Sequence, residues 1–218
     1  MAERASRRTR MTYSAKGFVI AAVILVLVCG GLFLFFVKGL YLLPDKVCES
    51  SVRREVVIRT LPRARAAYEW ADHTGAGRDF TFGCRISTSG DSMLTGKVDL
   101  RESSKAAWEE GYSSLAGTDV VRTSAGRVAA LAQIDPDDGL ASVYVPCEPK
   151  GPREAGASGP RALVAEVSVV GKSRASGADL RQALTEFAYQ LTRHAYGLAE
   201  CKDSRGFPEK LPRYGDRR

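Results

Sequence analysis

An unbroken apolar run of 21 residues, 17–37, constrains this chain more than any other feature of its sequence. An α-helix needs about 20 apolar residues to cross the roughly 30 Å hydrocarbon layer of a bilayer, where it satisfies its own backbone hydrogen bonds. The run therefore predicts a transmembrane helix over residues 17–37. The rest of the chain must then be interpreted as segments on the two sides of a membrane.

Basic residues on the N-terminal side of the run predict its orientation. Lys and Arg near a spanning helix are retained on the cytoplasmic side. We therefore expect a cytoplasmic tail over residues 1–16 and an extracytoplasmic C-terminal part. The residues that determine this topology are Arg4, Arg7, Arg8, Arg10 and Lys16.

Three alternative interpretations fit the run less well. A cleavable signal peptide has an apolar region of about 7–15 residues followed by a small-residue pattern, which residues 38–44 (KGLYLLP) lack. A lipoprotein needs a small residue before its acylated cysteine, but Cys29 follows Val28 in the middle of the run. A buried core helix would not be apolar on every face. The sequence thus predicts an uncleaved signal anchor in the cell membrane.

The net charge of +7 is concentrated around the run and does not indicate a nucleic-acid partner. The first 16 residues contribute four of these charges and Lys38 one, which leaves two for the rest of the chain. A nucleic-acid binder would carry its excess charge on the folded domain. The expected partners are the lipid bilayer and an envelope protein or an anionic wall polymer, with no nucleic acid.

Four cysteines beyond the run, an even number on the expected outer side, predict two disulfides. Zinc ligands would lie a few residues apart, whereas these cysteines are separated by 36, 63 and 54 residues. A redox-active Cys-x-x-Cys pair is absent from the sequence. Three pairings are open, of which we favour Cys84 with Cys147 and Cys48 with Cys201.

Hydrophobic periodicity over residues 48–201 predicts an α+β domain after a spacer at 38–47. The last helix has the clearest apolar stripe, with Ser176 at its N-cap. Trp70 and Trp108 are expected in the core, residues 149–161 form a mobile loop, and residues 202–218 a disordered basic tail. The expected fold is an antiparallel sheet covered on one face by the first and last helices. Helices are predicted over 49–61, 105–115 and 176–198, and strands over 65–70 (where a helix fits nearly as well), 80–87, 93–100, 126–134, 140–147 and 162–171.

No motif in the sequence predicts a catalytic residue, a cofactor or a metal ligand. The two histidines, His73 and His194, are expected at an exposed loop and at the edge of a helix face, and no Gly-x-Ser-x-Gly elbow accompanies them. The acidic residues at 135–138 lack the remaining positions of an EF-hand loop and fit a hairpin turn better. We therefore predict that the protein is not an enzyme.

The order of several short motifs resembles that of a known class of proteins. These motifs are the anchor, a cysteine before a short helix, Cys84-Arg85-Ile86 at a hairpin, residues 143–147 (VYVPC), and a last helix that ends at Glu200-Cys201. They resemble uncharacterised single-pass, membrane-anchored extracytoplasmic proteins of high-GC Gram-positive (actinobacterial) bacteria. The resemblance implies a location and a disulfide framework, but no catalytic residues.

The sequence as a whole predicts a membrane-anchored extracytoplasmic module that binds or scaffolds a component of the cell envelope. Two alternatives remain open. One is a cell-envelope hydrolase with a site near His73, because a catalytic triad is assembled in space rather than in sequence. The other is a sensing subunit that signals through a partner membrane protein.

Overall fold

The computed structural model describes seven stretches of the chain in two compact units. The units are Met1–Phe36 and Val37–Arg218. Of the topology determinants, Arg4, Arg7, Arg8 and Arg10 lie outside the described residues, as do the acidic turn at 135–138 and most of the loop expected at 149–161. The described stretches are 15–37, 39–75, 79–113, 120–134, 139–150, 159–202 and 206–214.

The described residues of the first unit belong to one helix, α1, Ala15–Val37, which has Lys16 in its first turn and ends at the first residue of the second unit. Its side chains are described over residues 17–33, and all of them are exposed. In the part of the chain that the structure describes, no helix was found to combine the length and the apolar character of a membrane span.

The second unit is an α+β domain, which confirms the predicted fold class. The strands among its described residues are β1 Lys46–Val47, β2 Val52–Arg53, β3 Ala67–Thr74, β4 Thr81–Thr88, β5 Met93–Glu102, β6 Val121–Ala125, β7 Val128–Ile134, β8 Gly139–Pro146 and β9 Arg161–Val170. Seven of these strands form one sheet in the order β3-β4-β5-β9-β8-β7-β6, and every neighbouring pair is antiparallel. The described helices of this unit are a 3-10 helix at Gly39–Leu42, α2 at Arg54–Thr60, α3 at Lys105–Ser113 and α4 at Gly177–Leu198.

Helix α4 packs along the middle of the sheet and forms the main core. Leu180, Leu184, Phe187 and Leu191 recur at spacings of three and four, so they share the helix face that contacts β5, β7, β8 and β9. Gly96 on β5 permits this close approach. A Cβ atom at that position would lie 2.4 Å from Leu191 Cδ1.

On the face of the sheet opposite α4, helix α3 covers one half of the strands. This differs from the prediction, in which the helices covered a single face. Trp108 of α3 is 5 % exposed, packs on β7, β8 and β9, and donates a hydrogen bond from Nε1 to Ser142 Oγ at 2.9 Å. The expected core position of Trp108 is confirmed. The expectation for Trp70 is wrong, because β3 is an edge strand beyond the reach of α3 and leaves Trp70 55 % exposed.

Two disulfides are present, as predicted, but the favoured pairing is wrong. Cys48 is bonded to Cys84 with a Cα–Cα distance of 5.5 Å, and Cys147 to Cys201 with 5.2 Å. Cys84 lies on β4, and Cys147 directly follows β8. In the sheet, strands β5 and β9 lie between β4 and β8. Three strand spacings amount to about 14 Å, whereas a disulfide bridges at most about 7 Å.

The N-terminal part of this unit is less helical than predicted. The helix expected over 49–61 begins only at Arg54, because residues 48–50 form a turn and Val52–Arg53 is a strand. Strand β6 was not predicted, because Val121–Ala125 contains one buried side chain and shows little alternation of apolar residues.

Removal of the Cys147–Cys201 disulfide should destabilise the second unit strongly. The bond closes a separation of 54 residues, so replacing both cysteines with serine is expected to lower the free energy of unfolding by about 4 kcal/mol. Urea unfolding of the full chain in detergent measures this change. Cys29→Ser, which replaces the exposed free cysteine of α1, is the matched control and should change it by less than about 0.5 kcal/mol. An equal effect of both changes would contradict the prediction.

Candidate functional site

A groove of about 760 Å³ runs along the side of α4 that faces away from the sheet. Its floor is α4, one wall is formed by β1, β2 and α2, and the other wall is the C-terminal segment 206–214. Polar residues of α4 line the floor because Gln182, Glu186, Gln190 and Arg193 follow the helical period opposite the apolar stripe. The groove is therefore the polar side of the helix whose apolar side forms the core.

Positive charge predominates in the lining of the groove. Six basic side chains face three acidic ones. The basic residues are Lys46, Arg53, Arg59, Arg193, Lys210 and Arg213, and the acidic residues are Glu55, Glu186 and Glu209.

One acidic residue, Glu186, joins α2 and β2 to α4. Its carboxylate accepts hydrogen bonds from Arg53 Nη2 at 2.6 Å and from Arg59 Nη2 at 2.5 Å. The backbone N–H of Arg53 also donates to Gln190 Oε1 at 2.8 Å. Two of the six basic residues are thereby paired with an acid.

The other four basic residues of the lining differ from Arg53 and Arg59 in their ion pairing. Lys46, Arg193, Lys210 and Arg213 form no ion pair with any residue that the structure describes. Guanidinium and ammonium groups at the edge of an open groove attract phosphate or carboxylate groups. The lining is thus suited to an anionic ligand.

The C-terminal wall is ordered over 206–214, so the disorder expected over 202–218 is wrong for these residues. Leu211 is buried, Tyr189 donates a hydrogen bond to the carbonyl of Pro208, and Tyr214 is hydrogen-bonded to Thr185 Oγ1 at 2.5 Å. Phe207, Leu211 and Tyr214 recur every three or four residues and reach the core. The composition of the tail, which is rich in Gly, Pro and charged residues, gave no indication of these apolar contacts.

Burial keeps the phenol of Tyr214 neutral. It raises the pKa of Tyr214 to about 12, although the hydrogen bond with Thr185 and the charge of Arg181 act in the opposite direction. Burial and the nearby carboxylate of Glu166 likewise raise the pKa of Tyr112 to about 12, against a lowering hydrogen bond with Ser142.

A turn of unusual backbone conformation borders the groove. Cys48, Glu49 and Ser50 all have left-handed conformations, with φ of 57°, 54° and 63°. Such residues are strained and persist only where their surroundings hold them. Here the Cys48–Cys84 disulfide, a hydrogen bond from Ser51 Oγ to the Cys48 carbonyl at 2.6 Å, and a bond from the Cys48 N–H to Glu69 hold the turn.

This turn places Glu49 between the two histidines of the chain. His73 Nδ1 lies 3.4 Å from the Glu49 carboxylate, and His194 Nε2 lies 3.8 Å from it. The His194 ring packs edge-on against Phe82, with 5.3 Å between the ring centroids. His73 lies on strand β3 rather than in the expected loop, whereas His194 lies on α4 as expected. The fold brings both histidines within 3.8 Å of Glu49. Nothing in the sequence spacing of these three residues indicates the cluster.

The rest of the described structure offers weaker candidates for a functional site. Within the described residues, no group of three or more His, Cys, Asp or Glu side chains has an arrangement that could hold a metal ion. An apolar hollow of about 520 Å³ lies between the β6–β7 turn and residues 206–208, with Arg127 at its lining. The four predicted cysteines serve as disulfides rather than as ligands.

No protein family, curated protein or solved structure matches this chain. Its function must therefore be inferred from the groove, its charges and the turn beside it.

Alkaline pH should release the C-terminal wall of the groove. A tyrosine of the unfolded chain ionises near pH 10. Because burial raises the pKa of Tyr214 to about 12, its stabilising contribution is complete below pH 10 and is lost as the pH rises through about 12. Tyrosinate absorbance should show a late step whose amplitude falls in Tyr214→Phe. Tyr41→Phe, which removes an exposed tyrosine, should leave that step unchanged, and an unchanged step in Tyr214→Phe would refute this account.

Proposed function

We propose that this protein is a single-pass, membrane-anchored module of the cell envelope whose groove binds an anionic wall polymer. The observation that carries the proposal is the set of four basic residues in the groove that form no ion pair with described residues. The protein would act by presentation and contact rather than by breaking bonds.

The anchor is supported by the apolar run and by the backbone of α1. Helix α1 has 23 residues and thus a length of about 34 Å, which exceeds the hydrocarbon thickness of a bilayer. The side chains described for α1, over residues 17–33, belong to the apolar run that the sequence continues to residue 37. Every described side chain of this helix is exposed, and water is an unfavourable environment for such a surface.

The location of the second unit outside the cytoplasm is supported by its cysteines. Both cysteine pairs of this unit are bonded, and disulfides persist in oxidising compartments. The basic N-terminal tail favours the same orientation, because it is retained on the cytoplasmic side.

The form of the groove favours a polymer over a small molecule. Its floor extends along α4 from Gln182 to His194, which corresponds to about 18 Å. A small-molecule site is usually a cavity that encloses most of its ligand. An open, elongated and positively charged groove instead allows several anionic groups of one chain to be bound together.

Charge reversal in the groove tests this proposal. For the full chain in detergent, Arg193→Glu and Lys210→Glu are each expected to weaken polyphosphate binding by about threefold to tenfold, because each replaces an attraction by a repulsion. Binding to the unchanged protein should also weaken as the salt concentration rises. Fluorescence anisotropy of a labelled polyphosphate measures both effects.

Two controls make this test specific. Arg85→Glu changes an exposed basic residue on the opposite face of the sheet and should leave the affinity unchanged. Neutral dextran should not compete with polyphosphate. Equal losses for Arg85→Glu and Arg193→Glu would reduce the effect to overall charge and refute the groove as the binding site.

Neutralisation of Glu186 should change affinity and stability in opposite directions. Glu186→Gln removes a negative charge from the groove, so polyphosphate affinity is expected to rise about twofold to fivefold. Its partners Arg53 and Arg59 have side chains that are 48 % and 50 % exposed, so the free energy of unfolding should fall by less than about 1 kcal/mol. A loss of affinity together with the loss of stability would contradict our assignment.

A second candidate function, hydrolysis near His73, is favoured by the cluster at Glu49. A carboxylate that orients an imidazole is a common element of general-base catalysis. Turnover of bis(p-nitrophenyl) phosphate by the full chain, and its loss in both Glu49→Gln and the double change His73→Ala with His194→Ala, would support this function. Equal rates in all three proteins would exclude the cluster as the source of the activity.

A further inference from the structure

The second unit receives the chain at a fixed point on its surface. The backbone N–H of Gly39 donates to the carbonyl of Ala64 at 2.9 Å. Gly39 also leaves no room for a side chain, because a Cβ atom there would lie 2.5 Å from the same oxygen. The residues that follow α1 are thereby held against residues 64–66.

Three further segments lie at the same end of the sheet. Strand β3 begins directly after residue 66, and Ser89 in the β4–β5 turn donates from its N–H to the Ala66 carbonyl at 3.0 Å. Gly171, which follows β9, lies against Asp91 and Ser92 of that turn. Segments 39–42, 63–68, 89–93 and 170–174 therefore form one end of the unit, which we call the entry end.

Most of the exposed large apolar side chains of the second unit lie at or beside the entry end. Outside α1, six such side chains are exposed among the described residues, and five of them are found here. Tyr68 and Val170 lie in one row across the sheet, with Ser87 and Met93 between them, and Trp70 lies in the next row. The five are Tyr41 (48 % exposed), Leu42 (76 %), Tyr68 (66 %), Trp70 (55 %) and Val170 (46 %).

Exposed basic side chains accompany these apolar residues. Segments 63–65, 89–92 and 171–174 contain four basic residues and a single acidic residue, Asp91, and all five are exposed. The basic residues are Arg63, Arg65, Lys172 and Arg174. A surface that combines aromatic, aliphatic and basic side chains matches the headgroup layer of a membrane, where amphipathic rings are favoured and anionic lipids attract Lys and Arg.

We propose that the entry end lies in the outer headgroup layer of the membrane and orients the groove above it. The proposal rests on the anchor that forms part of the proposed function. Only residue 38 separates α1 from Gly39, so the entry end starts within about 8 Å of the end of the anchor. The bilayer is therefore the partner that the covalent structure brings to this surface.

Strand β3 offers a set of depth reporters for a test. Tyr68, Trp70 and Thr74 point to the same open face, and the first and last are about 20 Å apart along the strand. Three proteins each carry one exposed tryptophan on β3: the unchanged chain with Trp70, and Tyr68→Trp and Thr74→Trp in a Trp70→Phe background. Trp108 is buried in all three and contributes a constant signal.

The measurement is tryptophan quenching in the full chain reconstituted into phosphatidylcholine vesicles that carry a nitroxide at the headgroup. We expect quenching to decrease from Tyr68→Trp through Trp70 to Thr74→Trp. The first should be at least about threefold stronger than the last, because their separation exceeds half the hydrocarbon thickness. Addition of an anionic phospholipid should strengthen quenching of Tyr68→Trp, and Arg65→Glu with Lys172→Glu should abolish this increase.

The outcomes separate this proposal from the anchor. A chain that does not float with the vesicles after alkaline carbonate extraction would refute the anchor. A chain that floats but shows no lipid quenching at any of the three positions would refute the entry-end proposal alone. Equal quenching at all three positions would refute it as well, because the whole open face would then contact lipid. Protection of Tyr68→Trp from iodide that increases with protein concentration in detergent would indicate a second copy of the chain and would also overturn the proposal.

Discussion

The packing of α4 against the sheet is the interaction on which the rest of the second unit depends. Its apolar stripe closes the core over Gly96, and its polar side becomes the floor of the groove. Both walls then attach to the same helix, one through Glu186 and the other through Thr185 and Tyr189. A displacement of α4 would therefore change the core and the candidate site together.

The charge of the groove illustrates how folding brings basic side chains together in a domain whose net positive charge is small. Beyond Lys38 the sequence has only two net positive charges, which gave no reason to expect a basic surface. In the structure, Lys46 near the start of the unit and Lys210 near its end are brought to the same groove. The net charge of a sequence gives only the total, whereas the topology of the fold determines which charged side chains lie together on the surface.

The fold class and several elements were predictable because they depend on local periodicity. Alternating apolar residues marked β4 and β5, and the stripe of α4 marked the longest helix of the domain. The even number of outer cysteines likewise predicted two disulfides. Their pairing was not predictable, because it follows from the order of strands in the sheet, in which β9 is inserted between β5 and β8.

The candidate site was largely hidden from sequence analysis for the same reason. The groove combines residues from both ends of the domain. The contact of Glu49 with both histidines depends on a turn in which three non-glycine residues have left-handed conformations. The apolar spacing of residues 49–61 predicted a helix there, but the Cys48–Cys84 bond and the hydrogen bonds of Cys48 and Ser51 hold the turn in a different conformation. Tertiary constraints of this kind override local preference.

The bond between Cys147 and Cys201 has a consequence for the wall that follows it. It ties the chain to the end of the sheet only five residues before Gly206. A short tether of this kind gives the C-terminal segment a high effective concentration at its own binding surface, on the order of millimolar. Weak contacts such as those of Leu211 and Tyr214 then suffice to keep the segment in place, and with it Lys210 and Arg213 of the groove.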